Sequence, residues 1–231
     1  MNLKIVMEDT HFIVCEKPPG VPSQGDRSGA LDMISLLRNY RMENENSDGI
    51  PEIYPVHRLD RPVGGVMVYA KTPFGARELS RQAAGEGMKK KYLAVVGQDL
   101  SSRQGENPVL LIDWLVRDGA RNMSRVVSAD TPEAKEAKLY YQVRQVQDGC
   151  SLLEVTLLTG RHHQIRVQLA NAGIPIYGDT KYNSSFQAYR GKNQLALFAY
   201  ELKFRHPKTG RELKFRQKPE YGIFRDFTAG V

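Results

Sequence analysis

Short apolar segments, paired across turn-forming residues, restrict the fold of this chain more than any other feature of its sequence. Residues 3–7 and 12–16 read as two strands around a polar Glu8-Asp9 turn, and Lys17-Pro18-Pro19-Gly20 then breaks regular structure. Residues 66–70, 92–96, 109–116, 124–127, 137–146 and 152–158 read as further strands, with Gly149 marking a hairpin between the last two. Residues 195–204 and 212–215 flank a His206-Pro207-Lys208-Thr209-Gly210 turn. Three segments have helical character. Residues 31–40 carry Met33, Leu36, Leu37 and Tyr40 at helical spacing. Thr72-Pro73 is an N-cap followed by proline at the first helical position, which predicts a helix reaching Glu86. Residues 161–172 place Ile165 and Leu169 one turn apart, and Gly173 stops the helix. Many strands in hairpin-like pairs and few helices predict an α+β fold: a mixed, mainly antiparallel sheet core with flanking helices and loops. Residues 42–52 read as a polar surface loop and residues 98–108 as a linker-like stretch, with no internal repeat.

At 231 residues the chain is long enough to bury a core without a metal or disulfide staple, and a single domain over residues 1–231 is expected. Lys and Arg outnumber Asp and Glu by 33 to 26, giving a net charge of +7. A basic excess attracts polyanions, nucleic acid first and an anionic membrane surface second. Cys15 and Cys150 have no CxxC spacing and read as reduced thiols of a cytoplasmic protein. The first ten residues mix Lys4, Glu8 and Asp9 with short apolar runs, unlike a signal peptide. No apolar stretch approaches the roughly 20 residues needed to span a bilayer.

Three segments concentrate residues that do chemistry. The first is His57-Arg58-Leu59-Asp60-Arg61-Pro62-Val63-Gly64-Gly65. Its proline and glycines force a loop, and a carboxylate between Arg58 and Arg61 is expected to ionise. Taken alone, such a loop is more often a surface salt-bridge loop. The second is Lys89-Lys90-Lys91-Tyr92, where cations beside an aromatic ring suit phosphate contact and base stacking. Taken alone, it is more often a charged strand end with a core tyrosine. The third is Thr159-Gly160-Arg161-His162-His163-Gln164-Ile165-Arg166, a strand-to-helix junction of the kind that binds anions, with His162 and Arg166 one helical turn apart. Zinc is the competing reading. Adjacent histidines diverge, no HxxxH or HExxH is present, and the cysteines lack ligand spacing, so no metal is expected. No nucleotide-binding glycine motif and no GxSxG occurs, so no cofactor is expected either.

Together these segments resemble the pseudouridine synthases of the RluA-like family. The central family motif is matched by His57-Arg58-Leu59-Asp60, followed by Gly65 and the strand ending at Ala70-Lys71-Thr72. Glu16-Lys17-Pro18-Pro19-Gly20 resembles the N-terminal motif, and Lys91-Tyr92-Leu93-Ala94-Val95-Val96 the tyrosine strand. The third motif is matched by Leu153-Glu154-Val155, Thr159-Gly160-Arg161, His163-Gln164-Ile165-Arg166 and Pro175-Ile176-Tyr177-Gly178-Asp179, and Phe204-Arg205-His206-Pro207-Lys208-Thr209-Gly210 resembles the C-terminal end. Motifs in family order span nearly the whole chain. The chain departs from the pattern at Val63-Gly64, usually Thr-Ser, at Gln168, usually His, and at Phe198, often His in a Leu-His-Ala triplet.

The resemblance implies isomerisation of uridine to pseudouridine within RNA, a reaction that needs no cofactor or metal; ribosomal RNA is the first expected target and tRNA the second, and a monomer is expected. It implies that Asp60 is the catalytic aspartate, that Tyr92 lies against the base, and that Arg166 pairs with the aspartate. Arg58 matches a residue that fills the space left by the flipped nucleotide. Arg61, Lys91, Arg161 and His163 are the further candidates for RNA contact. The family motifs begin at Leu3, so no N-terminal S4-like domain is expected, and target choice then falls to the catalytic domain, with residues 42–52 and 98–108 as candidates. Two other classes fit the same features. A catalytically inactive RNA-binding protein would lack Asp60, Tyr92 or Arg166, and all are present. An RNA-acting glycosidase usually needs two carboxylates flanking the bond, and only Asp60 is well placed.

Overall fold

The computed structural model of the chain describes residues 3–25, 29–45, 49–189 and 194–230. The fold is α+β, and the chain forms two compact units, one of Met1–Lys90 with Ala199–Lys218 and one of Lys91–Phe198 with Pro219–Val231.

In the first unit, β1 (Lys4–Glu8) pairs antiparallel with β2 (Phe12–Lys17), and β2 pairs antiparallel with β4 (Gly64–Ala70). The short strand β3 (Tyr54–Pro55) also joins β4. Strand β10 (Leu197–Arg205) follows β4 in the sheet and pairs with β11 (Glu212–Arg216). Every residue of β4 is buried, which is why its sequence reads as an unbroken apolar run. Helix α1 (Met33–Asn44) starts at Asp32, whose side chain accepts from the Ser35 amide. Helix α2 (Pro73–Ala84) starts at Thr72, whose hydroxyl accepts from the Gly75 amide, with Pro73 at the first position. Leu79 of α2 packs into a core with Phe12, Val14, Val66, Val68, Leu202 and Phe204. Burial of each large side chain of this kind contributes roughly 1.5–3 kcal/mol.

In this unit the C-terminal ends of both helices differ from the sequence reading. Helix α1 runs past Tyr40 to Asn44, because Arg41 pairs with Glu45 one turn on and also donates to the Glu52 carbonyl. Of the expected 42–52 loop, Met42, Glu43 and Asn44 are therefore helical, and residues 46–48 lie outside the described residues. Helix α2 ends at Ala84 rather than Glu86, where the Gly85 amide bonds back to the Arg81 carbonyl.

In the second unit the strand order is β5 (Lys89–Val96), β9 (Cys150–Leu157), β8 (Lys135–Gln147), β6 (Val109–Asp118) and β7 (Met123–Val127), with β5 entering it at Lys91. The β8–β9, β6–β8 and β6–β7 pairings are antiparallel. The β8–β9 hairpin turns through Asp148 and Gly149, both at positive φ, where glycine costs least. Helix α3 (Gln164–Asn171) lies on one face of this sheet, where Val167 packs with Leu115 and Ala137. It begins three residues later than the sequence predicts. His163 precedes it in the left-handed conformation, φ 53°, and the Gln164 side chain turns back to accept from the Arg161 amide at 2.9 Å and the Thr159 hydroxyl at 2.8 Å. His162 and Arg166 are therefore not one turn apart on a helix.

Candidate active site

Asp60 is half-buried on a loop of the first unit that is fastened to the β2–α1 segment on several sides. Lys17, at the end of β2, has no exposed surface. Its ammonium donates to the carbonyls of Pro18 at 3.1 Å, Val21 at 2.6 Å and Arg61 at 3.0 Å. An ammonium has three donors, so these acceptors use all of them. Burial draws the Lys17 ammonium down to about 7, the Asp60 charge pulls it back up, and Arg61 pushes it down further. The Gly20 amide donates to the Arg61 carbonyl at 2.8 Å, and the Arg61 Nε donates to the Gly20 carbonyl at 2.9 Å. Ser23 both donates to the Leu59 carbonyl and accepts from the Leu59 amide, and Tyr69 donates to the Ser23 carbonyl. The Val63 amide closes a turn on the Asp60 carbonyl at 2.9 Å.

His57 opens this loop. Burial, then the nearby Lys90 charge, lowers its imidazole to about 3, so it is neutral. Its Nε2 accepts from the Val68 amide at 3.2 Å, which places the ring proton on Nδ1. Gly65 closes the loop at φ +131°, and a Cβ there would meet the Ala199 carbonyl oxygen at 2.2 Å. The first-unit residues singled out in the sequence thus come together around Asp60: Arg58 and Arg61 are exposed on either side of it, and Lys17 lies beneath.

Lys91, Tyr92, Arg161, His163 and Arg166 belong to the second unit. Lys91 and Arg144 both bond the Glu154 carboxylate, each at 2.8 Å. Burial pushes that carboxylate up, but the two hydrogen bonds and the charges of Arg144 and Lys91 together hold it below the ordinary carboxylate range. Tyr92 is buried, and alternation along β5 turns it to the opposite face from Lys91. Arg161 is exposed, its Nε donating to the Glu136 carbonyl. His163 is buried and stacked on His162, ring centroids 3.8 Å apart. Burial first, then Arg166, His162, Lys181 and Arg117, lowers its imidazole to about 2.

Arg166 is 4% exposed and forms a two-pronged pair with Asp179, Nε to Oδ2 at 2.8 Å and Nη2 to Oδ1 at 2.7 Å. Its guanidinium also lies over the Tyr182 ring, 5.2 Å from the centroid. The Ser124 amide donates to the Tyr182 hydroxyl at 2.7 Å, and that hydroxyl is hydrogen-bonded to His163 Nδ1, 2.9 Å away. Sequence reasoning gave Tyr182 and Ser124 no part and left Asp179 as a motif letter. The signal was available at Asp179, an acidic residue inside the third motif that also contains Arg166.

The departures from the family pattern have local accounts. Val63 is buried in the turn that closes on Asp60. Gln168 is buried and donates to Asp113 at 2.8 Å and to the Ala137 carbonyl, tying α3 to β6 and β8. Phe198 is buried in an aromatic cluster with Tyr221 and Phe224. Among the described residues no three His, Cys, Asp or Glu side chains are grouped to hold a metal ion.

A family model for RNA pseudouridylate synthase matches residues 11–171, a span that contains Asp60, Tyr92 and Arg166. The chain belongs to this family. It is similar to ribosomal large subunit pseudouridine synthase C of Escherichia coli (strain K12), 33% identical over 227 residues, covering 96% of this chain and 68% of that protein. It is similar to ribosomal large subunit pseudouridine synthase D of Xanthomonas campestris pv. campestris, 32% identical, covering 92% of this chain and 64% of that one. Among solved structures it shares the fold of human RNA pseudouridylate synthase domain containing 4, with a TM-score of 0.77 at 23% identity, covering 96% of this chain and 90% of that one. As an RNA pseudouridylate synthase family member the chain is an isomerase that acts on RNA.

Proposed function

We propose that the protein converts uridine to pseudouridine in ribosomal RNA, with Asp60 as the catalytic carboxylate. The observation that carries this reading is the family match across the Asp60 motif, together with similarity to two enzymes named for the large ribosomal subunit. The reaction breaks the bond between uracil N1 and ribose C1′ and forms one between uracil C5 and C1′. The C5 hydrogen leaves as a proton and N1 gains one, so product and substrate are isomers. No oxidant or reductant enters this balance.

The carboxylate of Asp60 acts on the sugar, either by attack or by removing the 2′ proton. Neither is possible within a stacked helix, so the nucleotide is flipped out first. The hydrogen bonds from Lys17, Gly20 and Ser23 hold the backbone on both sides of Asp60, which fits a group that must be aimed. Arg58, exposed beside it, fills the gap left by the flipped base. Tyr92 holds the detached uracil by its ring face, and Arg61, Lys91 and Arg161 supply charge toward phosphate. Arg166 is the arginine of the third motif. His163, buried as it is, supports Tyr182. On this reading the protein works as a monomer in the cytoplasm. No helix among the described residues is long and apolar enough to cross a membrane.

The test is tritium release from RNA labelled at uracil C5, combined with mapping of pseudouridines in cells with and without the gene. Wild type is expected to release tritium, and Asp60→Asn, which keeps the shape but cannot attack or deprotonate, is expected to release none while staying folded. Release by folded Asp60→Asn at the wild-type rate would overturn the assignment of Asp60. A wild type that binds RNA without release would make the protein a binding module. A site lost from tRNA rather than ribosomal RNA would change the substrate and leave the chemistry.

A further inference from the structure

Arg166 is a buried cation, and burial of an unpaired charge is costly. Its surroundings answer that cost in a specific geometry. Asp179, itself 1% exposed, takes the Nε–Nη2 edge of the guanidinium through both carboxylate oxygens. Two-pronged pairs of this kind fix the guanidinium plane as well as neutralise it. The Asp179 Oδ1 also accepts from the backbone amides of Lys181 at 2.9 Å and Tyr182 at 3.2 Å. The carboxylate is therefore itself tied to the turn that carries Tyr182. Tyr182 in turn places its ring against the guanidinium. The hydroxyl at the far end of that ring is pinned between the Ser124 amide and the neutral His163. A charged His163 would add a cation beside Arg166. The cluster thus holds edge and face of one guanidinium with groups from β7, the segment before α3, and the 179–183 turn.

We propose that Asp179 and Tyr182 are positioning residues of the isomerase reaction that act by fixing the plane and direction of Arg166. This rests on the pseudouridine synthase reading above. Asp179 presents the guanidinium by the edge that its carboxylate does not occupy, and Tyr182 prevents rotation about that pair.

The experiment is a double-mutant cycle of Asp179→Asn and Arg166→Lys, read by tritium release, by KM for the RNA and by melting temperature. In Asp179→Asn the amide oxygen still accepts the turn amides, but its NH2 faces the Arg166 Nε–H, so one prong becomes two opposed donors. kcat is expected to fall about 10- to 100-fold, the loss that misplacement of about an ångström produces, while KM changes by less than about threefold. Lysine cannot use the two-pronged acceptor, so Arg166→Lys with Asp179→Asn is expected to be no slower than Arg166→Lys alone. Losses that multiply in the double variant would show that Asp179 acts independently of Arg166 and would overturn the proposal. Should Asp179→Asn fail to fold, Tyr182 decides. Tyr182→Phe keeps the ring and is expected to keep kcat within about threefold, whereas Tyr182→Leu loses the ring and is expected to lose about tenfold or more. Equal kcat for Tyr182→Phe and Tyr182→Leu would overturn the proposal. A wild type that releases no tritium removes the reaction reading and this inference together. A wild type that releases tritium alongside an unchanged Asp179→Asn removes the inference alone.

Discussion

Replacement of Lys17 by methionine sets two opposing effects against each other beneath Asp60. Burial draws the Lys17 ammonium from its ordinary 10.5 down to about 7, with Asp60 pulling it back up and Arg61 lowering it. The difference corresponds to roughly 5 kcal/mol that the folded state gives up at low pH to keep this group charged. Against it stand the carbonyls of Pro18 and Val21, which methionine would leave without a donor, while the Arg61 carbonyl would keep the Gly20 amide. Each orphaned acceptor costs about 1–3 kcal/mol. Near pH 7 the two effects are of similar size, so a single melting temperature does not separate them. Their pH dependence does. Between about 7 and 10.5 the unfolded lysine keeps its proton and the folded one has released it. The unfolded state then binds more protons, and stability rises with pH by up to about 1.4 kcal/mol per pH unit. The penalty is complete below the folded value and vanishes as pH approaches the unfolded one. Methionine cannot titrate, and every other group is common to both proteins. Urea unfolding of wild type and Lys17→Met at about pH 7.5 and about pH 9.5 should therefore show wild type gaining roughly 2–3 kcal/mol on the variant. Parallel stability curves would refute the reasoning, because they would mean that Lys17 releases no proton in that window.

Gly65→Ala should lower stability by about 3 kcal/mol or more, since its Cβ would meet the Ala199 carbonyl oxygen at 2.2 Å in a left-handed backbone. An unchanged melting temperature would remove the close approach from the account. Arg58→Ala should melt like wild type, because Arg58 is exposed and makes no hydrogen bond or ion pair among the described residues. It should lose turnover on folded RNA while keeping more of it on a short unstructured strand, where less stacking must be broken, and equal losses would reject the flipping role. RNA affinity should fall linearly with salt on logarithmic axes, as expected for a chain of net charge +7 that releases counterions on binding, and a flat plot would count against an RNA ligand.

The strands were legible because their signals are local. Buried runs such as Gly64–Ala70 and hairpins such as the one at Gly149 announce themselves through apolar sequence and turn chemistry. Thr72 and Pro73 likewise fixed the start of α2. The errors lie where a contact from elsewhere decides. Residues 161–163 have nothing that forbids a helix, yet the Gln164 side chain takes the Arg161 amide and the Thr159 hydroxyl, and His163 goes left-handed. The last turn of α1 survives its polar sequence because Arg41 ties Glu45 and the Glu52 carbonyl together. Neither arrangement has a periodicity to detect.

The site residues named from the sequence carry their identity in motif order, but what holds them does not. Lys17 stands in a Lys-Pro-Pro-Gly breaker, and a lysine in a loop is ordinarily exposed, since lysine is almost never fully buried unless paired. Only the accounting of three donors against three carbonyls shows why this one is inside. Arg166 carries a motif identity in the sequence, and Asp179, thirteen residues on and across a turn, stands there only as a further residue of the same motif. Nothing in their spacing states that they meet edge to edge. In each unit the chain has placed one cation where water cannot solvate it and has supplied acceptors matched to its donor geometry. An ammonium meets three carbonyls, and a planar fork meets a carboxylate and an aromatic face. Such burial is weak evidence of stability, because apolar residues would fill the same volume at lower cost. Its value lies in fixing direction, for the Asp60 backbone in one unit and for the Arg166 plane in the other.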